Sequence, residues 1–273
     1  MVTKEQELKD KLFTALRENN FQKVKQCVEE MKNNGISKIT ELKDDDEAMP
    51  LHIAVQKNNL ESAQFLVDEG ADINAIWRED FGYKYTPLSI AAKNNNFKIV
   101  KFLLDKGSEL NASGFFLIIS PLHYAARNFP SSSTPEYLEI IELLLKKGAD
   151  INAKNEGGNT SIYEAIKSNN FKIMERLFNK GAKIDLNNNS NQTLLHIAAS
   201  NSFYSYDTTN SGVKIMEFLL KHNLDINIKD EGGNTPMHYA IRSRNPRMIK
   251  ILYDNNANIT IKNNEGKNSF RIC

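Results

Sequence analysis

One phrase recurs through this chain at least six times, and its recurrence limits what the chain can fold into more than any other feature. Met49-Pro50-Leu51-His52-Ile53-Ala54 returns as Thr86-Pro87-Leu88-Ser89-Ile90-Ala91 and Ser120-Pro121-Leu122-His123-Tyr124-Ala125. It returns again as Thr160-Ser161-Ile162-Tyr163-Glu164-Ala165, Thr193-Leu194-Leu195-His196-Ile197-Ala198 and Thr235-Pro236-Met237-His238-Tyr239-Ala240. An apolar helical stretch follows each copy, and then a tail such as Gly70-Ala71-Asp72-Ile73-Asn74. A period near 33 residues implies stacked supersecondary units that share interfaces with their neighbours instead of one central core.

Within a unit, Thr or Ser before Pro marks a helix start. The hydroxyl is expected to cap a free backbone N–H, and Pro in the first turn has no N–H to satisfy. The small Ala lets a second helix approach closely. That second helix carries apolar residues at helical spacing, as in Ile99, Val100, Leu103 and Leu104. Gly70, Gly107, Gly148 and Gly181 stand where a left-handed residue would end it, and Asn223 and Asn256 take the same place in the last two copies.

These residues resemble the ankyrin-repeat family, whose unit is a β-turn and two antiparallel helices. The resemblance covers Met49 to Thr260, and a further unit begins at Asn264-Glu265-Gly266. It implies an all-α solenoid of helix-turn-helix units with β-turn or hairpin fingers, occupying residues 49–273. Residues 1–48 would be a degenerate N-terminal capping repeat and its connector. It also implies that His52, His123, His196 and His238, which share one repeat position, bond to backbone around the turn and hold no metal.

The remaining chemistry is sparse. There is no glycine-rich phosphate loop, no Cys/His zinc spacing and no Ser-His-Asp set outside the scaffold positions, so we expect no catalysis, no cofactor, no metal and no small-molecule substrate. A net charge of +1 argues against a nucleic-acid binder. The longest apolar run, Phe115–Ile119, is too short to enter a bilayer as a spanning helix. Two cysteines at opposite ends and no apolar leader suggest a cytoplasmic protein with free thiols.

Function is then expected where the chain departs from its own rule. From Asn74 to Pro87 is 13 residues, against nine in the later turns, and the excess holds Trp77, Phe81, Tyr83 and Tyr85. The next turn carries Phe115, Phe116 and Leu117. Two adjacent fingers rich in rings suggest an exposed contact surface. On that reading, replacing Trp77 and Phe116 with Ala weakens partner binding and leaves stability unchanged; the competing reading packs these rings against the helices below. A second departure is the position two after the inner Ala. It reads Arg17, Gln56, Lys93, Arg127, Lys167, Ser200 and Arg242. By resemblance it lines the concave surface, so Lys93, Arg127, Lys167 and Arg242 would receive an acidic partner. The partner is expected to be a protein with an acidic or apolar patch. The sharpest form is an effector delivered into a host cell by an intracellular bacterium or virus. Two rivals are an inhibitory or regulatory subunit of an enzyme, and, with less support, a nucleic-acid binder acting through the basic row.

Overall fold

A computed structural model describes residues 3–78, 84–111, 119–127, 136–201 and 210–271. Among them, helices come in antiparallel pairs: α1 (Lys4–Arg17) with α2 (Phe21–Asn33), α3 (Pro50–Gln56) with α4 (Leu60–Asp68), and α5 (Pro87–Lys93) with α6 (Phe97–Asp105). Then come α7 (Pro121–Ala126) and α8 (Glu136–Lys146), α9 (Ser161–Lys167) and α10 (Phe171–Asn179), α11 (Leu194–Ser200) and α12 (Ser211–Leu220), and α13 (Pro236–Arg242) and α14 (Pro246–Asp254). One compact unit holds α1–α6, most of α7, and α8; a second holds Arg127 and α9–α14.

The repeat rule explains these pairs. Inner-helix Ala54, Ala91, Ala125, Ala165, Ala198 and Ala240 are buried, as are outer-helix Leu66, Leu103, Leu144, Leu177, Leu219 and Leu252. Each pair therefore packs a methyl-sized surface against a leucine, and the small side chain sets how closely the helices approach.

The turn between paired helices is built by asparagine. Asn19, Asn58, Asn95 and Asn169 adopt positive φ. The residue after each, Asn20, Asn59, Asn96 or Asn170, caps the outer helix by accepting a backbone N–H with its side-chain oxygen. The last pair uses Arg244 and Asn245 in the same way. Asparagine tolerates the left-handed region and is a strong N-cap, so one residue type serves both positions. Gly70, Gly107, Gly148, Gly181, Asn223 and Asn256 all take the positive φ expected of helix terminators.

The threonine before the inner helix departs from expectation in three of the repeats, and Thr160 makes no capping hydrogen bond. Thr86 caps Ser89 N at 3.2 Å. The hydroxyls of Thr193 and Thr235 lie instead 3.0 and 2.8 Å from Nδ1 of His196 and His238. The backbone N–H of Thr193 also donates to Nδ1 of His196, at 3.1 Å. That bond leaves the proton on Nε2, which faces Asn234 O at 3.0 Å in the next finger. His52 spans Met49 N and Ala75 O in the same manner. These imidazoles are clamps between successive repeats.

Fingers carry a second clamp. Asp44, Asn155, Asn188 and Asn263 each fold a tip by accepting backbone N–H groups two and four residues later. In the second unit the tips are laced by Asn189 N to Gly157 O, Glu231 N to Ser190 O and Asn264 N to Gly232 O, each 3.0 Å. The close approach demands glycine at Gly158 (φ +74°), where a Cβ would lie 2.6 Å from Asn189 N.

Candidate protein-binding face

The lengthened second finger begins with β1 (Trp77–Arg78), which pairs antiparallel with β2 (Lys84–Tyr85), Trp77 opposite Tyr85. Contrary to the expectation of an exposed aromatic tip, Trp77 is 7% exposed and Tyr85 is 5% exposed. Their rings meet at 5.7 Å, and Tyr85 stacks on Tyr124 at 5.5 Å. The indole N–H donates to Asp46 O at 2.7 Å. Asp46 is two residues beyond the tip-folding Asp44, as Gly157, Ser190 and Gly232 are two beyond Asn155, Asn188 and Asp230. Trp77 thus supplies with a side chain the finger-to-finger bond that backbone N–H groups make in the second unit. It is a brace, and so is the ring of Tyr85 beneath it. Phe81, Tyr83, Phe115, Phe116 and Leu117 lie outside the described residues.

The row of cations stands where the repeat places it. Arg17, Gln56, Lys93, Lys167, Ser200 and Arg242 are the last residues of their inner helices, and Arg127 follows α7 directly. A cation there complements the helix C-terminus. The individual surroundings differ. In the first unit, Arg17 Nη2 bonds Asp44 Oδ2 at 2.6 Å, so its charge is offset. Lys93 lies 4.5 Å above the Tyr85 ring and 3.1 Å from its hydroxyl. Gln56 is exposed and uncharged. Beside Arg17 and Gln56 is a cleft of about 280 Å³ that also exposes Asp46 and the edge of Trp77.

In the second unit, Lys167 is exposed and Arg242 lies 5.7 Å over the Tyr239 ring. Tyr239 is held rigid, since its hydroxyl donates to Asp230 Oδ2 at 2.7 Å and accepts from Gln192 Nε2 at 2.6 Å. Burial, with the Asp230 bond adding to it, pushes that phenol up to about 12. Arg127, with a side chain 43% exposed, sits with Nε 3.7 Å from Glu164 Oε2.

Glu164 is the residue that reading the row alone overlooks. Its column otherwise contains Ile53, Ile90, Tyr124, Ile197 and Tyr239, so the signal was one acid among uncharged side chains. Glu164 is only 3% exposed. Burial raises its carboxyl above the ordinary range, while Arg127, Lys167 and an Asn155 hydrogen bond oppose the rise. Oε1 accepts from Asn155 Nδ2 at 3.4 Å, and Oε2 is buried without a hydrogen-bond donor.

The arrangement offers charged and aromatic side chains on a braced helix face. Among the described residues, no cluster of His, Cys, Asp and Glu is grouped to hold a metal ion. No helix among them is long and apolar enough to cross a membrane.

The model for ankyrin repeats (three copies) matches residues 6–114, 77–155, 122–208 and 162–263. The chain belongs to the ankyrin-repeat family. The crystal structure of the human ASB11 ankyrin repeat domain overlays with a TM-score of 0.69 at 20% identity, covering 90% of this chain and 98% of that one. Among relatives, human transient receptor potential cation channel subfamily A member 1 is 30% identical over 220 residues, 77% of this chain and 15% of the channel subunit. An ankyrin repeat protein of Acanthamoeba polyphaga mimivirus is 26% identical over 150 residues, 52% of this chain and 18% of the viral protein. The ankyrin-repeat chain thus spans less than a fifth of either relative. Ankyrin repeats generally serve as protein-interaction scaffolds, and the fold is typically non-catalytic.

Proposed function

We propose that this ankyrin-repeat protein is a non-catalytic module that binds a protein partner bearing an acidic patch, through the inner-helix row of its second unit. The observation that carries this is the placement of Arg127, Lys167 and Arg242. Each is exposed at or just after the C-terminal end of an inner helix, and Arg242 rests on a hydrogen-bonded Tyr239. Arg242 is thereby held on a rigid support, so less ordering entropy opposes its binding. Lys93, resting on Tyr85, offers the same chemistry in the first unit. Phe81, Tyr83, Phe115, Phe116 and Leu117, outside the described residues, are proposed to add an apolar contact. Trp77 and Tyr85 have no direct part.

An effector acting on a host protein is the specific form we favour, supported by the likeness to a viral ankyrin repeat protein. Capture with this protein as bait, repeated with Arg127, Lys167 and Arg242 all changed to Glu, tests the binding face. The reversed row is expected to lose affinity by at least about tenfold, and wild-type binding to weaken with added salt. Equal binding by the reversed protein would remove the proposal.

A further inference from the structure

Within the second unit, the three row cations differ in what lies beneath them. Arg127 has a buried carboxylate at 3.7 Å, whereas Arg242 has an aromatic ring. The Arg127–Glu164 geometry is a loose tether. The separation is within ion-pair range but beyond a hydrogen bond, and Oε2 of Glu164 has no donor of its own. The guanidinium is nearly half in solvent, while the carboxylate is buried. Moving Arg127 toward an external anion therefore leaves a buried carboxylate without its nearby countercharge, and that cost opposes the move.

We infer that Glu164 gates Arg127: the buried carboxylate keeps the guanidinium from an acidic group on a partner, and neutralising Glu164 releases it to that group. This rests on the inner-helix face being the binding surface. The ligand chemistry is a carboxylate, phosphate or other compact anion on a protein, because one planar guanidinium pairs such groups side by side. The other groups around Glu164 set the strength of the gate. Lys167 follows it on α9, Tyr163 precedes it on α9, and Asn155 bonds it from the finger. The buried face of α10 is apolar, with Ile173, Met174 and Leu177, and the α11 imidazole of His196 is committed to backbone.

A double-mutant cycle tests the gate, using a fluorescent peptide rich in cysteic acid as probe at neutral pH and low salt. Its sulfonates stay charged, so only the protein changes. Glu164→Gln is expected to tighten probe binding by about three- to tenfold. In an Arg127→Gln background the same change is expected to give no gain. A gain that persists without Arg127 would reduce Glu164 to a through-space charge, and no gain in either background would remove its role; both overturn the gate. The paired substitution Lys167→Gln with Arg242→Gln separates this from the underlying reading. If that pair weakens binding and Glu164→Gln does nothing, the gate alone falls. If neither alters binding, the inner-helix face itself is not the site. Circular dichroism confirms that each variant is folded.

Discussion

Trp77→Ala is expected to destabilise the first unit by about 3–5 kcal/mol, the range for truncating a large buried aromatic side chain. The substitution removes the contact with Tyr85 and the hydrogen bond to Asp46 O, and it opens a cavity beneath the second finger. Trp77→Phe keeps a ring but loses the indole donor, so it should cost less, about 1–2 kcal/mol. Repeat proteins can open locally, so the effect should be uneven. Amide exchange should accelerate in α3 and α5 and stay unchanged in α13. Circular dichroism is the better global probe, since Trp77 is the only tryptophan. A Trp77→Ala protein that unfolds like the wild type would mean that the indole is not a brace.

Acid is the second strong lever. Burial, opposed by the Ala75 bond and two carboxylates, lowers His52 from 6.5 to about 4. His196 and His238 are lowered as well, each chiefly by burial. An unfolded histidine binds its proton near pH 6.5, whereas the folded one resists until much lower pH. Stability is therefore complete above about 6.5 and is lost as pH falls through the folded values. For His52 the gap amounts to about 3 kcal/mol. Urea midpoints taken at successive pH values should fall between about pH 6.5 and 5, before ordinary carboxylates titrate. Glu164 acts in the opposite sense, since its raised value favours the folded state at lower pH, so its contribution opposes the histidine loss. A flat midpoint across that window would contradict the clamp role of the imidazoles.

Much of the scaffold is legible in the sequence because one physical unit is written repeatedly. The positions of the helix starts, the inner alanines and the left-handed terminators Gly70 and Asn256 each follow from local rules, although the threonine cap is not made in every copy. Asparagine carries more of the design than composition suggests. Its abundance, easily taken for a genomic bias, supplies the left-handed turn residues, the outer-helix caps and most of the finger folds.

The direction of an insertion is not legible in the same way. A turn four residues longer than the nine-residue turns of the later repeats can project or fold back, and rings suit both outcomes. What decides for Trp77 is a bond to Asp46, 31 residues earlier, which no local pattern announces. The basic row was visible, but its charges are not equivalent, because Arg17 is neutralised by Asp44 from the finger that follows its helix pair. Glu164 shows the reverse case. Its column was readable in the sequence, yet its meaning depends on burial and on Arg127, which only packing supplies.

Amide hydrogen exchange of this protein with and without its captured partner is the most direct test of where recognition occurs. Partner binding is expected to slow exchange in the turns after α9 and α13, Ser168–Asn170 and Ser243–Asn245, which adjoin Lys167 and Arg242. Protection confined to the outer helices α10, α12 and α14, with those turns unchanged, would contradict it.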